Sequence, residues 1–62
     1  MSAEESLRQA EELMDRLEET RVRLEQTTDP EVAIEVLSEL ADIAREIEAA
    51  LSRAKREADA GG

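Results

Sequence analysis

Carboxylates are the main chemical resource of this 62-residue chain, which contains 13 Glu and 4 Asp but no His, Cys, Asn, Tyr, Trp or Phe. Paired carboxylates can perform acid–base catalysis, or they can hold metal ions inside a helical bundle. Nucleophile–base pairs of the Ser–His or Cys–His type cannot be formed from this composition. The only glycines are Gly61 and Gly62, so a glycine-rich phosphate loop is also excluded. We therefore predict a protein that is not an enzyme. Because no acidic residue occupies a core position of the helical patterns described next, we also predict that it has no cofactor or metal.

The acidic residues avoid the apolar positions of two regular patterns on either side of Thr27-Thr28-Asp29-Pro30. The first pattern comprises Ala3, Leu7, Ala10, Met14, Leu17, Arg21 and Leu24. The second comprises Ala33, Leu37, Leu40, Ala44, Ile47, Leu51, Ala54 and Ala58. Alternating steps of three and four residues place these side chains on one face of a helix, with the spacing of a coiled coil. We expect both faces to form the seam, which is the line of contact between two helices.

The boundaries of the helices follow from capping residues. Ser2 and Glu5 have the spacing of a capping box. For helix 2 two registers are open: Asp29 caps the helix before a proline that suits the first helical position, or Thr28 forms a capping box with Glu31 one residue earlier. We predict helix 1 over about 3–27, a turn at 28–29, helix 2 over about 30–59 and a frayed tail at 60–62. A connection this short requires an antiparallel αα-hairpin. The predicted fold is therefore a single all-α domain over 1–62, in which facing residue numbers add up to about 57.

Helix 2 has a wider apolar face than a single seam requires. Val36, Ile43 and Ala50 widen it on one side, and Leu13 does the same on helix 1. A face of this width is typical of a helix that packs against two or more neighbours. We therefore predict that two chains complete a four-helix bundle. The residues expected to face the partner are Leu13, Val36, Leu37, Leu40, Ile43 and Ile47.

The charge of the chain limits its other partners. With 17 acidic and 8 basic residues the formal net charge is −9, which disfavours nucleic acid and anionic membranes. No apolar run approaches the roughly 18–20 residues of a membrane-spanning helix, and residues 1–5 do not resemble a signal peptide. We predict a cytoplasmic protein that binds itself or a larger protein, and that binds no nucleic acid, membrane or small-molecule substrate.

Arg21 is the one polar residue in the predicted seam, and two interpretations are open. Its aliphatic stem could pack near the loop while its guanidinium stays in water. Alternatively, it could form an ion pair between chains, with Glu25 or Glu35, that fixes the register of the assembly.

One known family resembles this chain over roughly residues 13–57. The similarity rests on Arg23-Leu24-Glu25, a short break, Pro30-Glu31-Val32-Ala33-Ile34, and a helix that ends in Leu51-Ser52-Arg53-Ala54. This pattern resembles the small subunit of bacterial exodeoxyribonuclease VII. The resemblance implies a noncatalytic helical hairpin that binds a large nuclease subunit. The two glycines usual in that family are absent here, where Gln26-Thr27 and Leu40-Ala41-Asp42 stand.

These observations predict a noncatalytic helical module for oligomerisation or protein interaction, or an accessory subunit. A nuclease small subunit is the first alternative to this interpretation. A designed or excised hairpin without biological activity is the second. A covalent or degradative tag, suggested by the terminal Gly61-Gly62, is a third and would require Gly62 for function.

Overall fold

Two long helices account for almost all of the structure, a computed structural model that describes residues 2–61. Helix α1 spans Ala3–Gln26 and helix α2 spans Pro30–Gly61, and residues 27–29 connect them. The helices pack side by side in an antiparallel hairpin of 49 × 14 × 12 Å. Residues 2–61 contain no strand. The prediction of an all-α two-helix hairpin is therefore confirmed.

The two helix starts follow the capping chemistry expected from the sequence. The backbone N–H of Glu5 donates to the Ser2 hydroxyl oxygen at 3.1 Å, and that of Glu31 donates to a carboxylate oxygen of Asp29 at 2.9 Å. Each side chain thereby satisfies a backbone donor that has no partner within the helix. Both caps fix where their helices begin, so the short connection folds α2 back along α1.

The helix ends differ slightly from the expected boundaries. α1 ends at Gln26, and Thr27 has extended backbone angles of φ −81° and ψ 132°. α2 continues through Ala60 and Gly61, which were expected to fray. Alanine is the strongest helix former and no proline follows it, so nothing in this segment stops the helix earlier. Gly62, the remaining part of the predicted tail, lies outside the described residues.

The observed seam corrects the seam predicted from sequence. Its fully buried members are Ser6, Ala10, Leu13 and Thr20 on α1, and Val36, Ile43, Ala50 and Ala54 on α2. About half of the expected positions stay in the seam and the others are replaced by the residues just before them, so each helix is rotated by about 50° from its expected face. Leu7, Met14, Leu37 and Leu51 were expected in the seam but are 45–53% exposed. Arg21, Ala44 and Ala58 are likewise exposed.

Hydrogen bonds between the helices explain this rotation. The Ser6 hydroxyl donates to Glu57 Oε1 at 2.8 Å, and an Arg53 guanidinium nitrogen donates to Gln9 Oε1 at 2.5 Å. The Ser6 hydroxyl is buried and needs such a partner, and the predicted rotation would separate both pairs. The small side chains at Ser6 and Ala50 also let the backbones approach closely on this side.

The register also differs from the expected one. Gln9 meets Arg53 and Ser6 meets Glu57, whereas the expected register placed residues 48 and 51 opposite them. In both pairs the α2 residue lies further along the chain than expected, by five positions (53 against 48) and by six (57 against 51). The terminal end of α2 therefore lies level with the first two turns of α1.

The hairpin has a thin core. Among the described residues its buried apolar side chains are Ala10, Leu13, Val36, Ile43, Ala50 and Ala54. Three of these six are alanines, so only three large aliphatic side chains are fully inside. Seven large aliphatic side chains remain exposed: Leu7, Met14, Val22, Val32, Ile34, Leu37 and Leu51. Of the fourteen Leu, Ile, Val and Met side chains in residues 2–61, three are therefore buried, four are half-buried and seven are exposed.

Candidate interaction surface

One side of the seam carries polar side chains that meet across the two helices. Each of them lies four residues before a residue of the seam. They are Gln9 and Arg23 on α1 and Glu39, Glu46 and Arg53 on α2. We call this set the polar flank. Arg23 Nη2 donates to Glu39 Oε2 at 2.8 Å, and Arg53 donates to Gln9. These contacts show that the polar flanks of the two helices face each other within one chain.

The opposite side of the seam carries aliphatic side chains. Leu7 and Met14 lie four residues after Ala3 and Ala10, and Leu37 and Leu51 lie four residues after Ala33 and Ile47. Residues four apart share a helix face. Because the polar flanks of both helices meet on one side, these residues of both helices must line the other. With the adjacent Ile34 they form a surface that we call the apolar flank: Leu7, Met14, Ile34, Leu37 and Leu51.

The apolar flank is substantially open to solvent. The exposed fractions of its residues range from 45% at Leu51 to 66% at Ile34. Leu17, Leu40 and Ile47 lie beside it in the seam and are themselves only half-buried. The flank and this edge of the seam therefore make one apolar strip along the hairpin, interrupted on α1 by Arg21. A strip of this kind is typical of a surface that binds another protein.

The outer edges of this strip differ between the two helices. On α1 the edge is a row of four exposed glutamates, one per heptad: Glu4, Glu11, Glu18 and Glu25. On α2 the corresponding row is Ile34, Ala41, Glu48 and Lys55. The α1 edge is therefore uniformly acidic, whereas the α2 edge is half apolar and ends in a cation.

Arg21 lies in the apolar strip and not in the seam. Thr20 occupies the seam position that was predicted for Arg21. The Thr20 hydroxyl donates to the carbonyl oxygen of Arg16 at 2.7 Å, which satisfies it while buried. Arg21 Nη2 lies 2.5 Å from Glu18 Oε1, and Arg21 Nη1 pairs with Glu25. Arg21 thus binds two members of the acidic row in its own chain, including the predicted partner Glu25. A contact between chains, with Glu25 or Glu35, stays a prediction.

The hydrogen bond and the charge of Arg21 lower the pKa of the Glu18 carboxyl below its usual value. The same two effects from Glu18 raise the pKa of Arg21. Both side chains are largely solvent-exposed. The pair therefore orders the edge of the strip without burying a charge.

The residues predicted to face a partner separate into two groups. Leu37 is 53% exposed, and Leu40 and Ile47 are half-buried at the edge of the apolar strip. Leu13, Val36 and Ile43 are instead 7%, 3% and 3% exposed, because they fill the seam of the hairpin itself. These three therefore do not belong to the outer surface on which the sequence placed them. The partner-facing role of the other three stays a prediction.

Sequence reasoning assigned Leu7, Met14 and Leu51 to the seam and therefore missed them as surface residues. The signal that identifies them is the presence of three apolar positions per heptad. When two of those positions fill the seam, the third must remain outside it. In both helices the third position is the one four residues after an alanine or isoleucine of the seam.

A shallow groove lies on the polar flank and was not predicted from the sequence. Gln9, Leu13, Glu46, Ala49 and Arg53 line it, and its volume is about 260 Å³. Small-molecule sites are usually about 300–1,000 Å³ and mostly apolar. The apolar strip is therefore the stronger candidate for a functional surface.

The described residues contain neither a group of potential metal ligands nor a helix suited to cross a membrane. Between residues 2 and 61, no three acidic side chains are grouped as metal ligands would be. Neither helix in that range is long and apolar enough to cross a membrane.

Comparisons with protein-family models, with curated proteins and with solved structures find no match. The resemblance to the nuclease small subunit therefore stays a prediction.

Proposed function

We propose that this chain is a noncatalytic helical association module and that a second copy covers its apolar strip, giving a four-helix bundle. The supporting observation is the distribution of large aliphatic side chains. Three are fully buried within the hairpin, whereas the five residues of the apolar flank remain 45–66% exposed on one face. A second hairpin placed on that face gives each helix a second seam, as the wide apolar stripe of α2 requires.

The amount of exposed apolar surface fits association of moderate strength. Complete burial of a Leu, Ile or Met side chain stabilises by about 1.5–3 kcal/mol. Because the flank residues are already half-buried, about 1 kcal/mol remains for each, or about 10 kcal/mol for the ten in a dimer. Association costs about 4–15 kcal/mol, which is of the same order. The net gain is therefore at most about 6 kcal/mol, so we expect a dissociation constant no lower than tens of micromolar and a strong dependence on protein concentration.

The shape of the strip favours another copy of the same chain as its occupant. On α2 the strip runs from Ile34 to Leu51, about 26 Å at a rise of about 1.5 Å per residue, which is roughly half of the 49 Å hairpin. A partner with two antiparallel helices of at least this length can cover both edges at once. A second hairpin supplies this shape, and its own strip is covered by the same contact.

Sedimentation equilibrium over a wide concentration range tests this proposal. We expect the wild-type chain to approach twice its monomer mass as the concentration rises. Leu37→Glu places a charge in the middle of the strip and should hold the chain at monomer mass. Because Leu37 is 53% exposed in the single hairpin, the helical circular dichroism of the monomer should be retained.

Val22→Glu is the matched control. Val22 is also an exposed aliphatic residue, at 38%, but it lies on neither flank of the seam. The substitution adds the same charge and should leave the mass distribution close to that of the wild type. A wild-type chain that remains monomeric at millimolar concentration would contradict self-association, and a larger protein would then be the better candidate for the strip. Equal effects of both substitutions would contradict the role of the strip.

A further inference from the structure

Two hairpins can cover each other's apolar strips in two ways that differ in symmetry. With the twofold axis along the helices, the two loops lie at the same end and α1 packs on α2 of the other copy. With the axis across the helices, the loops lie at opposite ends, and α1 packs on α1 and α2 on α2. Both arrangements cover the same flank residues of each copy, so the charged outer rows are the feature that differs between them.

The acidic row of α1 disfavours the arrangement with opposite loops. In that arrangement Glu4, Glu11, Glu18 and Glu25 lie along the same four glutamates of the other copy. Each Arg21 already pairs with Glu18 and Glu25 of its own chain, so a dimer would place eight carboxylates around two cations. Like charges brought together in this way oppose association.

The outer row of α2 is the better complement to the acidic row. Two of its members, Ile34 and Ala41, are uncharged and Lys55 is a cation, so Glu48 is its only acid. The Ser6–Glu57 and Gln9–Arg53 hydrogen bonds set the terminal end of α2 level with the start of α1. When the loops of two copies lie at the same end, Lys55 and its neighbour Arg56 therefore approach the first acidic turn of α1 of the other copy.

We infer that the two copies assemble with their loops at the same end, so that α1 of each packs on α2 of the other and every neighbouring pair of helices is antiparallel. This inference rests on the self-association proposed above. The all-glutamate row of α1 then excludes the alternative pairing, and the cationic end of α2 selects this one. The acidic surface thus fixes the orientation of a contact whose energy comes from the apolar strip.

Distance measurement between spin labels tests the orientation directly. The chain has no cysteine, so Thr28→Cys gives a single label in the exposed connection between the helices. Any dipolar interaction must then arise between two copies. We expect a distance of about 20 Å, close to two helix diameters, because both loops lie at one end. In a separate variant, Asp59→Cys places the single label at the opposite, terminal end of the hairpin. This label should also give a short distance.

The outcomes separate this inference from the proposed function. With the loops at opposite ends, both labels would instead report about 40 Å or more, since the hairpin is 49 Å long. Long distances would overturn the orientation and leave self-association intact. The absence of any dipolar interaction, in samples where the labelled chain stays helical and concentrated, would overturn both.

Discussion

The polar flank and the apolar flank border the same seam, but only the polar flank is completed within one chain. Arg23 meets Glu39 and Arg53 meets Gln9 across the two helices. On the other side Leu7, Leu37 and Leu51 remain 45–53% exposed. Hydrogen bonds can be satisfied by a single partner helix, whereas a wide apolar face needs a further layer of side chains. We therefore propose that the seam and the polar flank stabilise the fold and that the apolar flank serves assembly.

Truncation within the seam should have the largest effect. Ile43 is 3% exposed and forms part of the core with Ala10, Leu13 and Ala50. Ile43→Ala should destabilise the hairpin by about 2–5 kcal/mol, because it leaves a cavity in a core that has few other large side chains. Urea unfolding followed by circular dichroism at low micromolar concentration measures the change. Leu37→Ala is the control and should change the monomer by less than about 1 kcal/mol.

Truncation of the apolar flank should affect association before stability. Leu37→Ala combined with Leu51→Ala removes four aliphatic contacts from a dimer, or about 4 kcal/mol. We expect the dissociation constant to rise by about 10²–10³-fold. The midpoint of thermal unfolding should also lose its dependence on concentration. An unchanged concentration dependence would show that this flank does not form the contact.

The charge pair of the polar flank, Arg23 with Glu39, should contribute less to stability than the seam residues do. Arg23 and Glu39 are exposed by 59% and 41%, so solvent screens their attraction. A double-mutant cycle with Arg23→Ala and Glu39→Ala should give a coupling of about 0.2–1 kcal/mol that decreases with added salt. The dissociation constant of the dimer should change little. A large effect on association would move the contact surface to the polar flank.

The pH dependence of the Glu18–Arg21 pair should be the smallest effect. Because folding lowers the pKa of Glu18, its contribution to stability is present above the usual carboxyl pKa. That contribution is lost as pH falls through the lowered pKa of the folded state. Arg21→Gln should return the pKa of Glu18 towards its usual value, as followed by NMR titration of the side-chain carboxyl carbon. An unchanged titration would show that the pair does not form in solution.

Much of the fold could be predicted because local chemistry determines it. Ser2 and Asp29 cap the helices, Pro30 starts α2, and the steps of three and four residues specify helices with one apolar side. These signals depend on neighbours in the sequence, so a single chain contains all of them. Their success at α1 and α2 reflects that locality.

The rotation of the helices could not be predicted in the same way. Ala10 belongs equally to a pattern with Leu7 and Met14 and to a pattern with Ser6 and Leu13. The larger side chains made the first pattern look like the seam. The second one is used because Ser6 finds Glu57 and Gln9 finds Arg53, contacts that join residues more than 40 positions apart. Such contacts appear only when the register is known.

Because of the same ambiguity, the sequence located the exposed apolar strip only in part. Leu37, Leu40 and Ile47 were placed at or beside the apolar strip, whereas Leu13, Val36 and Ile43 fill the seam. The width of the apolar stripe on α2 was informative about the number of neighbours. It did not show which edge of the stripe packs against α1 of the same chain, because both edges are aliphatic.

A dilution series followed by NMR tests the division of labour between the two flanks most directly. Spectra of the uniformly labelled chain at low and high concentration should differ in the methyl signals of Leu7, Met14, Leu37 and Leu51. The side-chain signals of Gln9 and Arg53, on the polar flank, should stay unchanged. Shifts concentrated on the polar flank, or no shifts up to millimolar concentration, would contradict assembly through the apolar strip.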